Sequence, residues 1–208
     1  MKAKTFRTWI EYLHSKDRLA VVDKKVSLQY EAAAVAKKLD GVKAVYFSHV
    51  EDYPIPVVSG ICSTREDFAE ALETDLNGVI PRFTQAVSSP LPCKPVDRAE
   101  APVKENIIRE HIDLMKMLPI PVHHEKDSGN YITAGLFIVR DPVTRKQNVS
   151  IHRLQVSGKD KLGACCCPAI RTTYLNRPRR PAGRWNALLS SALIRSRCWL
   201  LKPALRLG

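Results

Sequence analysis

Asn148 to Arg153 read NVSIHR, placing an amide, a hydroxyl, an imidazole and a guanidinium on an otherwise apolar stretch. On a strand period of two, Asn148, Ser150 and His152 share one face, and Val149, Ile151 and Arg153 the other. An asparagine carbonyl is a neutral oxygen ligand suited to a hard cation. An arginine is a permanently charged fork for phosphate or carboxylate. The pattern alone is first that of a half-exposed strand whose polar residues face water, since so short a motif is weak evidence. A second group with chemical reach lies close by, in LGACCCPAIRTTYL, where Cys165, Cys166 and Cys167 stand in a row. Zinc sites pair C-x2-4-C with a second such pair. Here the cysteines are adjacent and the next, Cys198, comes thirty-one positions later, so neither a metal site nor a redox pair is favoured.

The elements that must position NVSIHR follow from periodicity. Phe6, Trp9, Ile10 and Leu13 keep helical spacing behind Thr5 as N-cap. RLAVV (Arg18 to Val22) reads as a strand. SLQYEAAAVAKKLDG reads as a helix stopped by Gly41. KAVYFSHV and YPIPVVSGI are β-rich, and the prolines of the second suit an edge strand or a strand start. TREDFAEAL follows Ser63 and Thr64, with Glu66 placed for a capping box. This alternation predicts an α/β or α+β domain. Residues 81–122 are punctuated by prolines and read as a long surface connection. YITAGLFIVRDP and QNVSIHRLQVSG then form two strands joined by a turn in RDPVTRKQ, with Pro142 preset for its second position. DKLG begins a third strand.

The 208 residues suffice for one large or two small cores, and 45% apolar content is ordinary. The net charge of +12 first suggests an anionic partner. Its distribution argues otherwise: residues 164–208 hold nine Lys and Arg and no Asp or Glu, so residues 1–163 carry only the remaining +3. Two of the three Trp, Trp185 and Trp199, also lie in that tail. No secretory h-region and no run of about 18 apolar residues is present. Cys62 and Cys93 read as small apolar residues of a cytoplasmic protein without a disulfide framework. No internal repeats are visible.

The run LPIPVHHEKDSGNYITAGLFIVRDPVTRKQNVSIHRLQVSGKDKLG resembles the UbiD family of decarboxylases. The matching signals are Leu-Pro, D-x-G-x-Y-I-T, x-R-D-P and N-x-S-I-x-R. FRTWIEYLHSKDRLAVVDKKVSLQYEAAAVAKKL resembles the family's opening, so the resemblance covers residues 5 to 163 in order and spacing. It implies a prenylated flavin mononucleotide (prenylated FMN), held with a divalent metal, usually manganese, and with potassium. Asn148 corresponds to the family's metal-ligating asparagine. Ser150, Ile151, His152 and Arg153 fall at cofactor-contacting positions, and Arg153 also at the arginine of the catalytic acid–base network. The middle position of I-x-R varies in the family, which leaves His152 as an ordinary strand histidine.

The implied substrate is a small aromatic, heteroaromatic or α,β-unsaturated carboxylic acid, with most similarity to members acting on furan or pyrrole carboxylates. Losing CO2 from an sp2 carbon leaves electrons in an in-plane orbital, which explains why a covalent cofactor is recruited as electron sink. Asn148 and Arg153 point to opposite faces of a flat strand. A bulge or strong local twist is needed if both are to meet one cofactor.

Family members run to more than twice this length. They continue with an apolar strand, a metal-site histidine, metal-binding and catalytic glutamates, and a C-terminal domain through which they homo-oligomerise. The tail has no Asp, Glu or His. The cysteines fit a change of reading frame. Cysteine codons are TGY, and consecutive TGY codons read two bases later become YTG, always leucine. ACCCP then becomes part of an apolar strand, and Trp185–Asn186 forces a glutamate. One missing base near the codons of Gly163 and Ala164 suffices.

The expected architecture is an α/β (α+β) N-terminal domain over residues 1–105. The first strands of an incomplete split β-barrel follow over 106–163, then an out-of-frame basic tail over 164–208 with unpaired strand edges upstream of it. Within that tail WNALLSSALIRSRCWLLKPAL is patterned for a basic amphipathic helix. Such a chain is expected to be cytoplasmic, without membrane contact and without decarboxylase activity. The alternatives are a non-catalytic flavin-binding module and a basic nucleic-acid binder acting through residues 164–208.

Overall fold

A parallel pair of short strands, β1 (Leu19–Val22) and β2 (Ala44–Phe47), is bridged by helix α2 (Glu31–Leu39) and extended by the antiparallel strand β3 (Val57–Ser59). The computed structural model describes residues 5–91, 95–101, 104–140, 147–164 and 188–191. These divide into two units with the boundary between residues 102 and 103.

In the first unit β2 is central, and its alternation separates two apolar clusters. Val45 and Phe47 join Val26, Leu28, Ala32, Val50 and Val57, with Val35 and Leu39 of α2 packed against them. Ala44 joins Trp9, Leu13 and Leu19, so helix α1 (Phe6–Ser15) packs with that set, and Tyr46 lies against it. A strand buried on both faces is what the near-continuous apolar run AVYF requires. Trp9 Nε1 donates to the Ile61 carbonyl at 2.7 Å, which satisfies the indole inside the cluster. Cys62 packs against the same cluster, and burial pushes its thiol pKa up.

Local signals set several boundaries. Thr5 caps α1, and Thr8 answers it: the Thr8 N–H donates to Thr5 Oγ1 at 3.2 Å and the Thr5 N–H to Thr8 Oγ1 at 3.0 Å. Gly41, at φ +74°, takes the left-handed position beyond the end of α2. α2 itself starts later than its sequence pattern suggests. The Glu51 carboxylate accepts from Ser27 Oγ at 3.1 Å and from the Leu28 N–H at 2.8 Å, and Glu31 accepts from the Ser27 N–H at 2.7 Å. These bonds hold Ser27–Tyr30 outside the helix while Leu28 is buried at 4% exposure.

Helix α3 (Arg65–Ala71) is capped by Thr64, and the residue closing the box is Asp67 rather than Glu66. Asp67 stands three places after the true cap, whereas Glu66 would do so only if Ser63 were the cap. The proline-punctuated segment also departs from its expectation. Residues 79–88 form helix α4 (Val79–Ser88), with Pro81 in its first turn. There the missing N–H has no intrahelical acceptor to lose. The described residues of 89–101 contain no helix or strand and are almost all exposed.

The second unit holds the one-turn helix α5 (Leu114–Met117) and a four-stranded antiparallel sheet in the order β6-β5-β4-β7. Its strands are β4 (Tyr131–Arg140), β5 (Gln147–Val156), β6 (Leu162–Ala164) and β7 (Leu188–Ser191). Leu114, Leu118, Ile120, Ile132 and Leu154 are its buried apolar residues. The Asn130 side-chain amide donates to the Ile120 carbonyl at 2.6 Å, tying the α5 segment to the sheet. Within the tail, residues 188–191 are a strand paired with β4, not part of an amphipathic helix. β4 offers Gly135–Ile138 as a pairing edge on the side away from β5, and an open edge accepts any extended segment within reach. Cys93, the turn at Pro142, Cys165 to Cys167 and Cys198 lie outside the described residues, as do residues 165–187 and 192–208 as a whole. Among the described residues no helix is long and apolar enough to cross a membrane.

Candidate functional site

β5 alternates without interruption from Gln147 to Leu154. Asn148, Ser150 and His152 are half-buried on the face that ends in Leu154, which is 1% exposed. Val149 and Ile151, at 53% and 71% exposure, lie with Arg153 on the other face. The strand is therefore inverted relative to the simplest expectation: its polar trio faces inward and its branched apolar residues face outward. Ser150 Oγ lies 2.9 Å from His152 Nε2, which gives both groups a partner in the half-buried layer.

Arg153 stands apart from that trio. Its Nη2 donates to Asp127 Oδ1 at 2.7 Å, and its guanidinium carbon lies 3.7 Å from the centroid of the Tyr131 ring. Asp127 is 16% exposed, and its Oδ2 is buried without a hydrogen-bond partner among the described residues. The Arg153 guanidinium holds the Asp127 carboxyl below the usual carboxylate range. Their ion pair is thus fully formed above pH 3.8 and is lost only as pH falls through the lowered value. Sequence reasoning assigned no role to Asp127 or Tyr131. The signal was present in the D-x-G-x-Y segment, but which residue meets Arg153 depends on strand pairing.

A bulge does occur, and it is on β4. Ile132 pairs with Leu154 and Gly135 with His152, so Thr133 and Ala134 together stand opposite Arg153 alone. Bulges of this kind bend and twist the strand that carries the extra residue. Because β5 keeps its own alternation, Asn148 and Arg153 remain on opposite faces. Gly135 permits the close approach at this point, since a Cβ there would lie 2.7 Å from Leu154 Cδ1 and 3.3 Å from the His152 carbonyl.

The outer edge of β5 is the feature that reaches both faces. β6 pairs only with Leu154, Gln155 and Val156. Among the described residues, Asn148 to Arg153 therefore have a strand neighbour on the β4 side alone. Among the described residues no strand pairs with the backbone N–H and C=O groups along that edge. A planar molecule set against the edge would meet side chains from either face.

His123 adds a pH-dependent element. Its ring is exposed at one side, and the packing at the other lowers its pKa below 6.5, with Asp127 opposing and Arg153 adding to the shift. In the window between the lowered value and 6.5 the unfolded chain binds more protons than the folded one, so stability falls as pH drops through it. Because solvent screens this exposed ring, urea titrations of the wild-type chain are expected to show only a small loss below pH 6.5, and His123→Gln to flatten it. An identical pH slope in the variant would remove His123 as the source.

The chain thus sets an α/β unit before an antiparallel sheet whose strand β5 carries Asn-x-Ser-Ile-x-Arg. The chain belongs to the UbiD family. Residues 10–87 match the 3-octaprenyl-4-hydroxybenzoate carboxy-lyase N-terminal domain, and residues 94–181 match the Rift-related domain of the same carboxy-lyase. The chain is 34% identical over 157 residues to the anhydromevalonate phosphate decarboxylase of Methanothermobacter thermautotrophicus, covering 76% of this chain and 36% of that protein. It is 28% identical over 173 residues to the phenolic acid decarboxylase of Sedimentibacter hydroxybenzoicus, covering 77% of this chain and 36% of that protein. Among solved structures it resembles an evolved dimeric form of the UbiD-class enzyme HmfF from Pelotomaculum thermopropionicum in complex with prFMN. The TM-score is 0.76 at 47% identity, over 79% of this chain and 38% of that one. The chain thus spans little more than a third of the length of these proteins.

Proposed function

We propose that residues 5–163 are the N-terminal portion of a non-oxidative carboxy-lyase acting on an aromatic, heteroaromatic or α,β-unsaturated carboxylic acid. In this reading β5 is its flavin-binding strand, and the incomplete split β-barrel is the sheet that carries it. The observation that supports the reading best is that Ile151 and Arg153 stand exposed together on one face of β5. An apolar surface beside a held guanidinium suits a flat ring carrying an anionic tail.

Ser150, Ile151, His152 and Arg153 are the residues that would hold prenylated FMN. Bound there, the cofactor supplies the electron sink that loss of CO2 from an sp2 carbon needs. Arg153 orients an anion without donating a proton, because a guanidinium stays charged at all working pH values. Ile151 excludes water from whatever covers it.

The fit to a metal is poorer. Asn148 presents one amide oxygen for manganese or potassium, and among the described residues no three His, Cys, Asp or Glu side chains converge on a possible ion. The change of frame after Gly163 and the lack of activity in this chain belong to the same proposal. The Rift-related match continues eighteen residues past Gly163, to residue 181, so the nucleotide sequence downstream of Gly163 is the deciding observation. Assembly through a C-terminal domain and a cytoplasmic location are likewise part of the proposal.

Titrating the 208-residue chain with FMN is expected to quench flavin fluorescence. Arg153→Ala is expected to weaken binding by tenfold or more, roughly the worth of a charge-assisted contact. No CO2 release is expected with prenylated FMN, manganese and a furan carboxylate. Unchanged flavin fluorescence in the wild type would sink the flavin reading, and measurable CO2 would overturn the inactivity. Retention on DNA that falls with salt and vanishes on deleting residues 164–208 would instead favour the nucleic-acid alternative.

A further inference from the structure

An arginine that must grip an anion gains from being held before the anion arrives, because a free guanidinium gives up rotamer freedom on binding. Arg153 is held by two contacts of different kinds. Asp127 Oδ1 takes Nη2 at 2.7 Å. The Tyr131 ring lies 3.7 Å from the guanidinium carbon, close enough for a strong cation–π contact. One contact fixes an end of the fork and the other fixes its plane.

The positions that supply them are arranged for the purpose. Tyr131 pairs with Gln155, two residues along β5 from Arg153 and on the same face. The bulge at Thr133 and Ala134 lies directly opposite Arg153. Asp127 precedes β4 and is bound into a turn by its own N–H, which donates to the His124 carbonyl at 3.0 Å. Its second oxygen is buried with no hydrogen-bond partner among the described residues, so Arg153 is the main group that compensates the carboxylate's partial desolvation, ahead of the His124 backbone. Arg153 nevertheless keeps 48% of its side-chain surface exposed. A guanidinium has five N–H donors, and Asp127 uses one.

We propose that Asp127 and Tyr131 are positioning residues that pre-set Arg153 as an anion-gripping fork on the exposed face of β5. The identity of the anion, a flavin phosphate or a substrate carboxylate, rests on the function proposed above, whereas the pre-setting itself does not.

The test uses the full 208-residue chain and two readouts. In a sample with 15N-labelled arginine, the Arg153 Nε–Hε resonance is identified by its loss in Arg153→Lys. It is expected upfield of the free-arginine position because of the Tyr131 ring, and to return to that position in Asp127→Ala and Tyr131→Leu. In the second readout, Asp127→Ala is expected to weaken FMN binding about tenfold, in line with a hydrogen bond between charged groups. It is expected to add nothing in an Arg153→Lys background, because Asp127 acts only through Arg153. Asp127→Asn, close in shape, serves if the alanine variant does not fold, and Asp127→Glu is expected to recover part of the affinity. An Arg153 resonance at the free-arginine position in the wild type, or one unmoved by Asp127→Ala, overturns the inference. So does an Asp127→Ala effect that is just as large in the Arg153→Lys background. If the wild type binds no FMN, the flavin reading fails, and the arginine resonance still decides the pre-setting.

Discussion

Alanine in place of Arg18 is expected to lower the stability of the N-terminal unit by about 3 kcal/mol, enough to leave much of it unfolded in mild urea. Asp67 is 5% exposed and is the buried charged residue of the described core. Arg18 pairs with it directly and also reaches Glu70 at 2.5 Å. Removing one partner of such a pair strands the other charge away from water, which typically costs 3–5 kcal/mol. The lower end applies because the Arg18 side chain keeps 27% of its surface exposed.

Asp67 has a second duty that separates charge from geometry. Its carboxylate accepts from the Thr64 N–H at 2.9 Å, closing the cap of α3. Asp67→Asn removes the charge and keeps an acceptor for that bond. In an Arg18→Met background, Asp67→Asn is therefore expected to restore stability, the reverse of its effect in the wild type. Urea melts followed by far-ultraviolet circular dichroism would measure all five proteins. A melt of Arg18→Ala within about 0.5 kcal/mol of wild type would show that the buried carboxylate is not held in this way.

Leu154→Ala carries the second large effect, about 3 kcal/mol on the second unit. Leu154 is 1% exposed, pairs with Ile132 of β4 and with Ala164 of β6, and follows Arg153 immediately. Removing its side chain leaves a cavity at the only position of β5 that is fully buried. The consequence reaches the site. A slip of one residue would send Asn148, Ser150 and His152 outward and Arg153 inward, because the side-chain period of a strand is two. Leu154 is the residue that makes such a slip costly. The variant is expected to melt earlier and to lose FMN affinity together with the upfield Arg153 resonance. A Leu154→Ala protein with the wild-type midpoint and unchanged flavin binding would show that register is held elsewhere.

The features legible in the sequence are those that neighbouring residues decide. Thr5 as a cap, Gly41 as a stop, the run at Phe6 to Leu13 and the two long strands of the second unit all depend on contacts within a few positions. Where expectation and structure part, a distant group intervenes. Glu51, more than twenty residues away, holds Ser27 and Leu28 out of α2. Pro81 reads as a breaker until its place in the first turn of α4 is known. The family motif of residues 127–133 was visible as a motif, yet no rule of spacing says that its aspartate closes on an arginine twenty-six residues later.

The sequence by itself determined the inventory of this protein: its family, the strand that carries Asn148, Ser150, Ile151, His152 and Arg153, and the alternation that divides them between two faces. Those follow from residue identity and a period of two, which local chemistry enforces. Only the tertiary structure decided which face turns inward, where the bulge falls, and that Asp127 and Tyr131 hold Arg153. Each of these depends on which strand lies beside which, and strand pairing is set by burial of residues such as Leu154 and Ile132 far apart along the chain.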